Sequence, residues 1–317
     1  MGLRGAVAAV VLIVCAGELQ GAPLGGYVAT PLTRGPQNHL VASGSVNGRA
    51  ATFLVDTGAS ASFLQSDRAQ SFGVRLSGME APTDGRSFPV AVADDLRLGA
   101  TSVGNTNFSI YRAAQLGGPV PGRGRRPADG IIGLDVLRRF RGVINCRSRQ
   151  LFLARNPARR LNLATTARAE GFTAIPIEET RRGLTVPCVI SGRHGRLVLD
   201  TGAFLTGLDD DAARLLGLAA EPSAGKARGF DGRVQPLQLV QVNDLRIGSV
   251  TIPPQKFVVT DLFRRKQLRA VTGLNRIEFY APPSEARGER IYGLLGNELL
   301  DLHRAIIDLD TMTLFMK

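Results

Sequence analysis

Few residues in this sequence could form a disulfide framework or a metal centre. The 317 residues include three cysteines, three histidines and no tryptophan. The histidines, His39, His194 and His303, are far apart and no Cys-x-x-Cys pair occurs, so a zinc site has little support and we predict no metal. Two cysteines beyond the N-terminal region are too few for a disulfide framework. Cys146 and Cys188 could pair in an oxidising compartment, or each could be a small buried apolar residue.

Long hydrophobic runs are also scarce, which argues against a polytopic membrane protein. One apolar run, residues 6–16, follows Arg4 near the N terminus, and it is shorter than the roughly 20 residues that span a bilayer. A cation followed by such a run is typical of a signal peptide. We therefore predict a signal peptide at residues 1–22, a periplasmic or secreted protein and no stable membrane span after processing. A lipid anchor at Cys15 fits poorly because Val14 precedes it.

Negative charge is in the minority. The chain has 27 acidic and 39 cationic side chains, a formal net charge of +12, and only four of the cations are lysines. Such a balance favours anionic partners such as nucleic acid or an acidic envelope surface. The arginines are scattered, however, and no aromatic ladder or nucleic-acid-binding motif accompanies them. We predict no nucleic-acid partner.

The sequence repeats itself over about 145 residues. Residues 53–59 (FLVDTGA) match residues 197–203 (LVLDTGA) at an offset of 144, and residues 130–133 (GIIG) match residues 293–296 (GLLG) at an offset of 163. The order of matching segments is kept and the offset only grows. This pattern indicates two homologous lobes with insertions in the second. We predict an N-terminal lobe at 23–158, a linker at 159–171 and a C-terminal lobe at 172–317.

Local signals in each lobe predict mostly β structure with about two short helices. Asn47-Gly48 and Ser191-Gly192 lie between apolar runs and predict β-hairpin turns. Strands are expected at residues 53–55, 90–98, 197–199 and 239–247. Helices are expected after a Ser66 cap up to Gly73, after an Asp210 cap up to Gly217, and at residues 134–140 and 297–303. The acidic run at residues 209–211 is interpreted as helix capping and not as a cation site.

Each lobe contributes one Asp-Thr-Gly motif, with its acid at Asp56 or Asp200. Two carboxyl groups that share one proton can activate a water molecule, because the ionised one acts as a base while the protonated one donates to a carbonyl oxygen. Adjacent carboxyl groups cannot easily both ionise, so their pKa values split. Such a pair needs one acid from each of two symmetry-related loops, and a duplicated chain supplies both. A glycine after each motif threonine lets the backbone turn sharply behind the carboxylate and donate to it.

These motifs resemble those of retropepsin-like and pepsin-like aspartic proteases in their single-chain, two-lobe form. Each Asp-Thr-Gly-Ala is followed downstream by an apolar-apolar-Gly and a helix, at residues 130–137 (GIIGLDVL) and 293–300 (GLLGNELL). The resemblance covers nearly the whole mature chain. It implies a mostly-β acid protease fold of two homologous β-barrel lobes with short helices and an active-site cleft between the lobes.

The resemblance also implies the roles of individual residues. Asp56 and Asp200 would be the catalytic dyad. The supporting residues would be Thr57, Gly58, Ala59, Thr201, Gly202 and Ala203. Among these, the two threonines would brace the loops against each other, the two glycines would line the floor of the cleft, and the two alanines would leave room where the loops approach.

Members of this family close a β-hairpin flap over the substrate. The candidate flap turns contain Gly85 and Arg86 in the first lobe and Gly229 and Phe230 in the second. Neither has the tyrosine that pepsin-like flaps use, and the sequence alone leaves open whether either turn is a flap or a surface loop.

The leading hypothesis is an exported aspartic endopeptidase that hydrolyses peptide or protein substrates. It would need neither a metal nor an organic cofactor, and it could work as a monomer because both acids lie in one chain. Ser60 follows the first motif and Phe204 the second, so we expect asymmetric specificity. The alternatives are an inactive module that binds a peptide or envelope component, and a structural envelope protein that contacts anionic surfaces. Intact acids in both lobes favour the protease.

Overall fold

The computed structural model describes residues 26–35, 38–83, 86–113, 120, 122, 126–155, 163–228, 234–263, 267–272, 275–280 and 290–317. The predicted signal peptide, residues 1–22, lies outside these ranges. In the described residues no helix is long and apolar enough to cross a membrane. Five short helices are present there: α1 (Ser66–Phe72), α2 (Leu134–Arg139), α3 (Leu163–Ala169), α4 (Asp210–Leu215) and α5 (Asn297–Leu302).

The remaining elements are β-strands, so the protein is mostly β as predicted. The first lobe contains β1 (Tyr27–Arg34), β2 (Leu40–Val46), β3 (Arg49–Val55), β4 (Phe63–Gln65), β5 (Arg75–Thr83), β6 (Arg86–Leu98), β7 (Thr101–Tyr111), β8 (Gly130–Ile132), β9 (Val143–Asn145) and β10 (Gln150–Ala154). The second contains β11 (Thr173–Pro176), β12 (Glu178–Thr180), β13 (Gly183–Ile190), β14 (Arg193–Leu199), β15 (Gly207–Asp209), β16 (Ala220–Arg228), β17 (Val234–Val242), β18 (Arg246–Ile247), β19 (Val250–Thr251), β20 (Gln255–Thr260), β21 (Gln267–Thr272), β22 (Asn275–Tyr280), β23 (Ile291–Leu295), β24 (Ile306–Asp308) and β25 (Thr313–Met316).

Six strands of the first lobe form a closed barrel. Their order is β2-β3-β8-β4-β7-β6, and β6 returns to pair with β2. The pair β3–β8 is parallel, which places the end of β3 beside the apolar-apolar-Gly segment. Inside, Phe53 stacks on Phe108 with ring centroids 6.2 Å apart. Burial of such side chains is the main favourable contribution to folding of the lobe.

The second lobe repeats this order with β13-β14-β23-β15-β20-β17. The strand predicted at residues 239–247 is interrupted, however, because β17 ends at Val242 and a separate strand, β18, pairs with β13. Between them, the Asp244 carboxylate accepts a hydrogen bond from the Ser191 backbone N–H at 3.0 Å, and the Leu245 carbonyl accepts one from Ile252. Side-chain and loop contacts therefore replace ladder pairing at this point.

A six-stranded sheet joins the two lobes, in the order β11-β25-β24-β9-β10-β1. Each lobe supplies three strands, and β9 pairs antiparallel with β24 at the centre. Ile144 lies opposite Ile307 there. These two residues are 163 positions apart, which is the offset of the sequence repeat in this region. Equivalent strands of the two lobes therefore pair across a local two-fold axis, as they do between the subunits of a symmetric dimer.

The segment predicted as a linker, residues 159–171, contains helix α3. Leu163 and Ala167 of this helix are buried in a cluster with Phe172, Phe152 and Phe315 beneath the inter-lobe sheet. The loop-like composition of the segment hides these two apolar positions, which are four residues apart and therefore share one helix face.

The predicted hairpin turns are present. Asn47-Gly48 and Ser191-Gly192 both have positive φ at each residue, as a type I′ turn requires, and they join β2 to β3 and β13 to β14.

Two predicted helix caps are wrong by one residue. Gln65 precedes α1, and Ser66 is its first residue, with no side-chain cap. Asp209, not Asp210, caps α4 by accepting from the Asp211 N–H at 3.2 Å. A serine or aspartate one position inside the helix gives the same sequence signal as a cap.

Cys146 and Cys188 are both buried, and no disulfide joins them. They belong to the main hydrophobic core, which contains residues of both lobes. Of the two alternatives from the sequence, the structure therefore has the buried apolar residue at each position.

Candidate active site

Asp56 and Asp200 meet between the two lobes. Each follows the last residue of a barrel strand, β3 or β14, and their side chains are hydrogen-bonded to each other. Behind Asp56, the Gly58 N–H donates to Oδ1 at 2.8 Å, and behind Asp200, the Gly202 N–H donates to Oδ1 at the same distance. The Ala203 N–H also donates to the Asp200 Oδ1, at 3.1 Å. The structure thus brings together the two acids that the sequence analysis singled out.

The two motif glycines allow this approach. A Cβ atom at Gly58 would lie 2.6 Å from the carboxyl carbon of Asp200, and one at Gly202 would lie 2.5 Å from that of Asp56. Both distances are shorter than any ordinary non-bonded contact, so a side chain at either position would displace a carboxyl group. Each glycine therefore serves the acid of the opposite lobe as well as its own.

The two threonines of the motifs brace the loops reciprocally. The Thr57 N–H donates to the Thr201 hydroxyl oxygen and the Thr201 N–H to the Thr57 hydroxyl oxygen, each at 3.0 Å. Each hydroxyl then donates across the interface at 2.8 Å, Thr57 to the Leu199 carbonyl and Thr201 to the Val55 carbonyl. Both threonines are fully buried. All four bonds join one lobe to the other, so they fix the separation of the acids.

Each acid-bearing loop is also held from behind by the apolar-apolar-Gly segment of its own lobe. The Asp56 N–H donates to the Ile132 carbonyl at 3.0 Å, and the Ala59 carbonyl accepts from the Leu134 N–H at 2.9 Å. In the second lobe the corresponding bonds run from Asp200 to Leu295 and from Asn297 to Ala203. Ala59 and Ala203 therefore act through their backbone as anchor points.

Two further residues of each lobe support the loops, and the sequence analysis missed them. In the first lobe the Asp135 carboxylate accepts from both the N–H and the hydroxyl of Ser62, at 2.9 and 2.7 Å. In the second lobe Glu298 accepts from the Thr206 N–H, and the Thr206 hydroxyl oxygen accepts from Gly296 at 3.0 Å. A signal was present, because Ser62 and Thr206 share the offset of 144, and Asp135 and Glu298 that of 163.

The electrostatics of the pair favour a shared proton. Burial and the neighbouring Asp200 charge raise the pKa of Asp56 well above its ordinary value, although the Gly58 and Ala59 N–H groups oppose the shift. Burial also raises the pKa of Asp200, while hydrogen bonds from Gly202, Asp56 and Ala203 lower it. Burial thus raises the pKa of both carboxyl groups, which favours one proton shared between them.

The surroundings of the two acids differ between the lobes. Near Asp200, the aromatic ring of Phe204 lies beside the imidazole of His39, with ring centroids 6.2 Å apart. Phe204 and the next residue, Leu205, are each 37% exposed, whereas the first lobe has Ser60 and Ala61 in the same places. The first lobe therefore presents small side chains beside its acid and the second lobe presents large apolar ones.

The candidate flap turns belong to two equivalent hairpins. β5 pairs with β6 up to Thr83 and Arg86, and β16 pairs with β17 up to Arg228 and Val234. Arg86 is the first residue of β6. Gly85, Gly229 and Phe230 lie outside the described residues.

One group of acids in the described part of the chain has spacing suited to a metal ion, namely Asp209, Asp210 and Asp211. The Asp209 carboxylate there accepts three backbone hydrogen bonds, one from Asp211 at the start of α4 and two from Leu262 and Phe263, each at 3.1 to 3.2 Å. These bonds are those of a helix cap that also fixes a neighbouring loop, in agreement with the interpretation from the sequence.

Comparisons with known proteins show similarity to aspartic proteases. The model of the aspartyl protease family matches residues 42–136 and 186–299, one stretch in each lobe and together about two thirds of the chain. No curated protein matches the sequence. The crystal structure of an aspartic proteinase from Irpex lacteus matches with a TM-score of 0.52 and 13% identity, over 92% of this chain and 96% of that one. A retropepsin-like aspartic protease from Rickettsia conorii matches with 20% identity and a TM-score of 0.28, over 43% of this chain and 95% of that one.

The likeness to the Irpex lacteus structure extends over both lobes and shows the two-lobe acid protease fold. The family match is split between the same two lobes. Each part contains one Asp-Thr-Gly motif and one apolar-apolar-Gly sequence. The chain therefore belongs to the aspartyl protease family.

Proposed function

We propose that this protein is an aspartic endopeptidase that hydrolyses peptide bonds with a water molecule activated between Asp56 and Asp200. The observation that carries the proposal is the braced, hydrogen-bonded acid pair. Its geometry is held by four cross-lobe bonds of Thr57 and Thr201. A merely structural aspartate in a turn would not need a second carboxyl group beside it, because two buried acids in contact destabilise each other when both ionise.

The proposed reaction conserves the shared proton. The ionised carboxylate takes a proton from water as the water oxygen attacks the peptide carbonyl carbon, and the protonated carboxyl gives its proton to the carbonyl oxygen. In the second step the carboxyl group that took a proton from water gives it to the leaving nitrogen as the C–N bond breaks. The other carboxyl group, now ionised, takes a proton from the tetrahedral intermediate. The dyad ends with one proton, as it began.

Several features accompany this proposal. The substrate would be an extended peptide or a protein lying across the dyad, with the hairpins β5–β6 and β16–β17 as candidate flaps. One chain supplies both acids, so the enzyme would act as a monomer. The N-terminal sequence supports export to the periplasm or the exterior. The chemistry of the dyad requires no metal or organic cofactor.

The test is cleavage of an unfolded protein by the mature chain between acid and neutral pH, with and without a statine-type inhibitor. Asp56→Asn and Asp200→Asn should each lower kcat by at least about 10²- to 10⁴-fold, the usual contribution of a general acid or base. Asp94→Asn is the matched control, because Asp94 is exposed and forms an ion pair with Arg75, which is exposed as well.

Two outcomes would reject the proposal. A folded wild-type chain that is inert at every pH would do so, as would Asn variants of the dyad that cleave as fast as the wild type. Binding of a peptide without cleavage would then favour the inactive binding module.

A further inference from the structure

One hydrogen bond near the dyad comes from a residue of the opposite lobe. His39, at the entrance to β2 in the first lobe, places its Nε2 atom 2.9 Å from the carbonyl oxygen of Gly202 in the second. His39 is 4% exposed. A carbonyl oxygen can only accept, so Nε2 carries the proton and donates. The Nδ1 atom is buried and has no hydrogen-bond partner among the described residues. The hydrogen bond of the imidazole in this part of the structure is therefore the one at Nε2.

The Gly202 carbonyl belongs to the same peptide group as the Ala203 N–H. That N–H donates to the Asp200 Oδ1 at 3.1 Å. A hydrogen-bond chain therefore runs from His39 Nε2–H to the Gly202 carbonyl, and from the Ala203 N–H of that peptide to the carboxylate of Asp200. Consecutive hydrogen bonds polarise one another, so a donor on the carbonyl strengthens the N–H on the other side of the peptide.

The second lobe has no equivalent of His39. The repeat offset of 144 places Gly183, the first residue of β13, at the position of His39. Glycine has no side chain and cannot donate to the Gly58 carbonyl in the corresponding way. Within the described part of the chain, no side-chain donor contacts the Gly58 carbonyl. Among the described residues, the hydrogen-bond chain from His39 therefore reaches Asp200 and not Asp56.

In the described part of the structure, few charged groups surround the hydrogen-bond chain from His39 to Asp200. Asp56 faces Asp200 across the dyad. Behind His39, Arg34 of β1 donates to the carbonyl of Asn38 and pairs with Asp301 of α5 at 2.7 Å. On the second lobe, the neighbour of the imidazole is the uncharged ring of Phe204. Burial lowers the pKa of His39, which favours the neutral imidazole in which Nε2 carries the proton and donates.

We propose that His39 is a positioning residue that acts through the Gly202–Ala203 peptide to hold the negative charge of the dyad on Asp200 and the proton on Asp56. This inference rests on the proposed function, since it assigns Asp200 as the base that takes the proton of water and Asp56 as the acid that protonates the carbonyl oxygen. It explains how two lobes that repeat the same motif can have different roles.

The first test compares the pH dependence of kcat/KM in the wild type, His39→Leu and His39→Gln. Loss of the donor in His39→Leu should move the acid limb of the profile to higher pH by about 0.3–0.6 unit, since the polarising effect is a fraction of one charged hydrogen bond. His39→Gln places an amide N–H at a similar reach and should restore most of the wild-type profile. His194→Leu, at an exposed histidine of the second lobe, should leave it unchanged.

The second test does not depend on activity. Carboxyl ¹³C resonances of labelled aspartates, assigned with Asp56→Asn and Asp200→Asn, should show Asp200 ionising first in the wild type and at higher pH in His39→Leu. In proteins that keep His39, the Nε2 proton resonance should shift more in Asp200→Asn than in Asp56→Asn, which tests the chain even if His39→Leu does not fold.

Either of two results would overturn the inference: a folded His39→Leu whose dyad titrates as in the wild type, or a His39 Nε2 resonance that does not respond to Asp200→Asn. An inert wild type with the expected ¹³C titrations would reject the protease and leave the His39 chain standing. An active wild type with unchanged titrations in His39→Leu would do the reverse.

Discussion

At the scale of single residues, the acid pair works against stability. Folding brings Asp56 next to Asp200 in a site where burial and the neighbouring charge both disfavour its ionised form. The unfolded chain imposes neither condition. Residues chosen for stability alone would not place two carboxyl groups in contact, which is why such strained pairs are found at functional sites.

This tension predicts the effect of Asp56→Asn on stability. The pKa of Asp56 is raised in the folded protein above its ordinary value of 3.8, so at intermediate pH the folded state binds more protons than the unfolded one. The contribution of Asp56 to the free energy of unfolding is therefore fully present below its ordinary pKa. That contribution is lost as pH rises through its raised pKa in the folded protein. Asn cannot ionise, so the variant should be more stable than the wild type at neutral pH, by about 1.4 kcal/mol for each pKa unit of the shift, and nearly equal at low pH.

Chemical denaturation at neutral pH and near pH 3 measures this difference. A dyad variant that is destabilised equally at both pH values would contradict the prediction.

The dyad could be read from the sequence because its chemistry is local and repeated. Asp56 and Asp200 stand in identical four-residue motifs, and the hairpin turns at Asn47-Gly48 and Ser191-Gly192 need only the left-handed backbone that these residue types favour. The role of His39 could not be read in this way. Its partner, Gly202, is 163 residues away and uses only a backbone carbonyl, which leaves no trace in residue type.

At the scale of elements, the two acid-bearing loops form one unit. Thr57 and Thr201 satisfy each other's backbone N–H groups and the carbonyls at the ends of β3 and β14, so neither loop is complete without the other. Buried backbone groups that lose their partners cost more free energy than the bond itself contributes. The geometry of the dyad therefore depends on two hydroxyl groups that do not touch the substrate in the proposed reaction.

Thr57→Val tests this dependence. Valine keeps the shape of threonine, but the Thr201 N–H and the Leu199 carbonyl lose their hydroxyl partner. We expect a loss of about 2–4 kcal/mol in the free energy of unfolding, together with a lower kcat. Thr57→Ser retains the hydroxyl and should recover most of both.

Thr101→Val is a matched control, because Thr101 is also buried but its hydroxyl has no partner among the described residues. Its replacement should be nearly neutral in denaturant unfolding. A Thr57→Val protein as stable as Thr101→Val would show that the brace does not hold the loops.

Element boundaries were harder to predict than the loops. Residues 239–247 alternate well enough for one strand, yet Asp244 bonds to the turn at Ser191 and ends the ladder. The caps at Ser66 and Asp210 are each misplaced by one residue, because a serine or aspartate at the first helical position gives the same sequence signal as a cap.

At the scale of the whole molecule, the lobes share more than a cleft. The inter-lobe sheet takes three strands from each, and Ile144 and Ile307 pair at its centre, both fully buried. Helix α3 packs under this sheet at residues that the composition marks as a linker. The pairing of β9 with β24 joins strands about 160 residues apart, and neither strand has a charge or turn signal that names its partner, so the sequence could not predict it.

This shared sheet predicts that the two lobes unfold together. Domains joined by a small polar interface open independently, but here the main hydrophobic core contains residues of both lobes. Calorimetry should therefore give one transition, with a van 't Hoff enthalpy close to the calorimetric one. Ile307→Ala should destabilise this single transition by about 2–4 kcal/mol without splitting it. Leu302→Ala, at a side chain of α5 that is 63% exposed, should change it by no more than about 0.5 kcal/mol. Two separate transitions in the wild type would mean that the acids are carried by lobes free to move apart, and the brace at Thr57 and Thr201 would then have to hold the dyad alone.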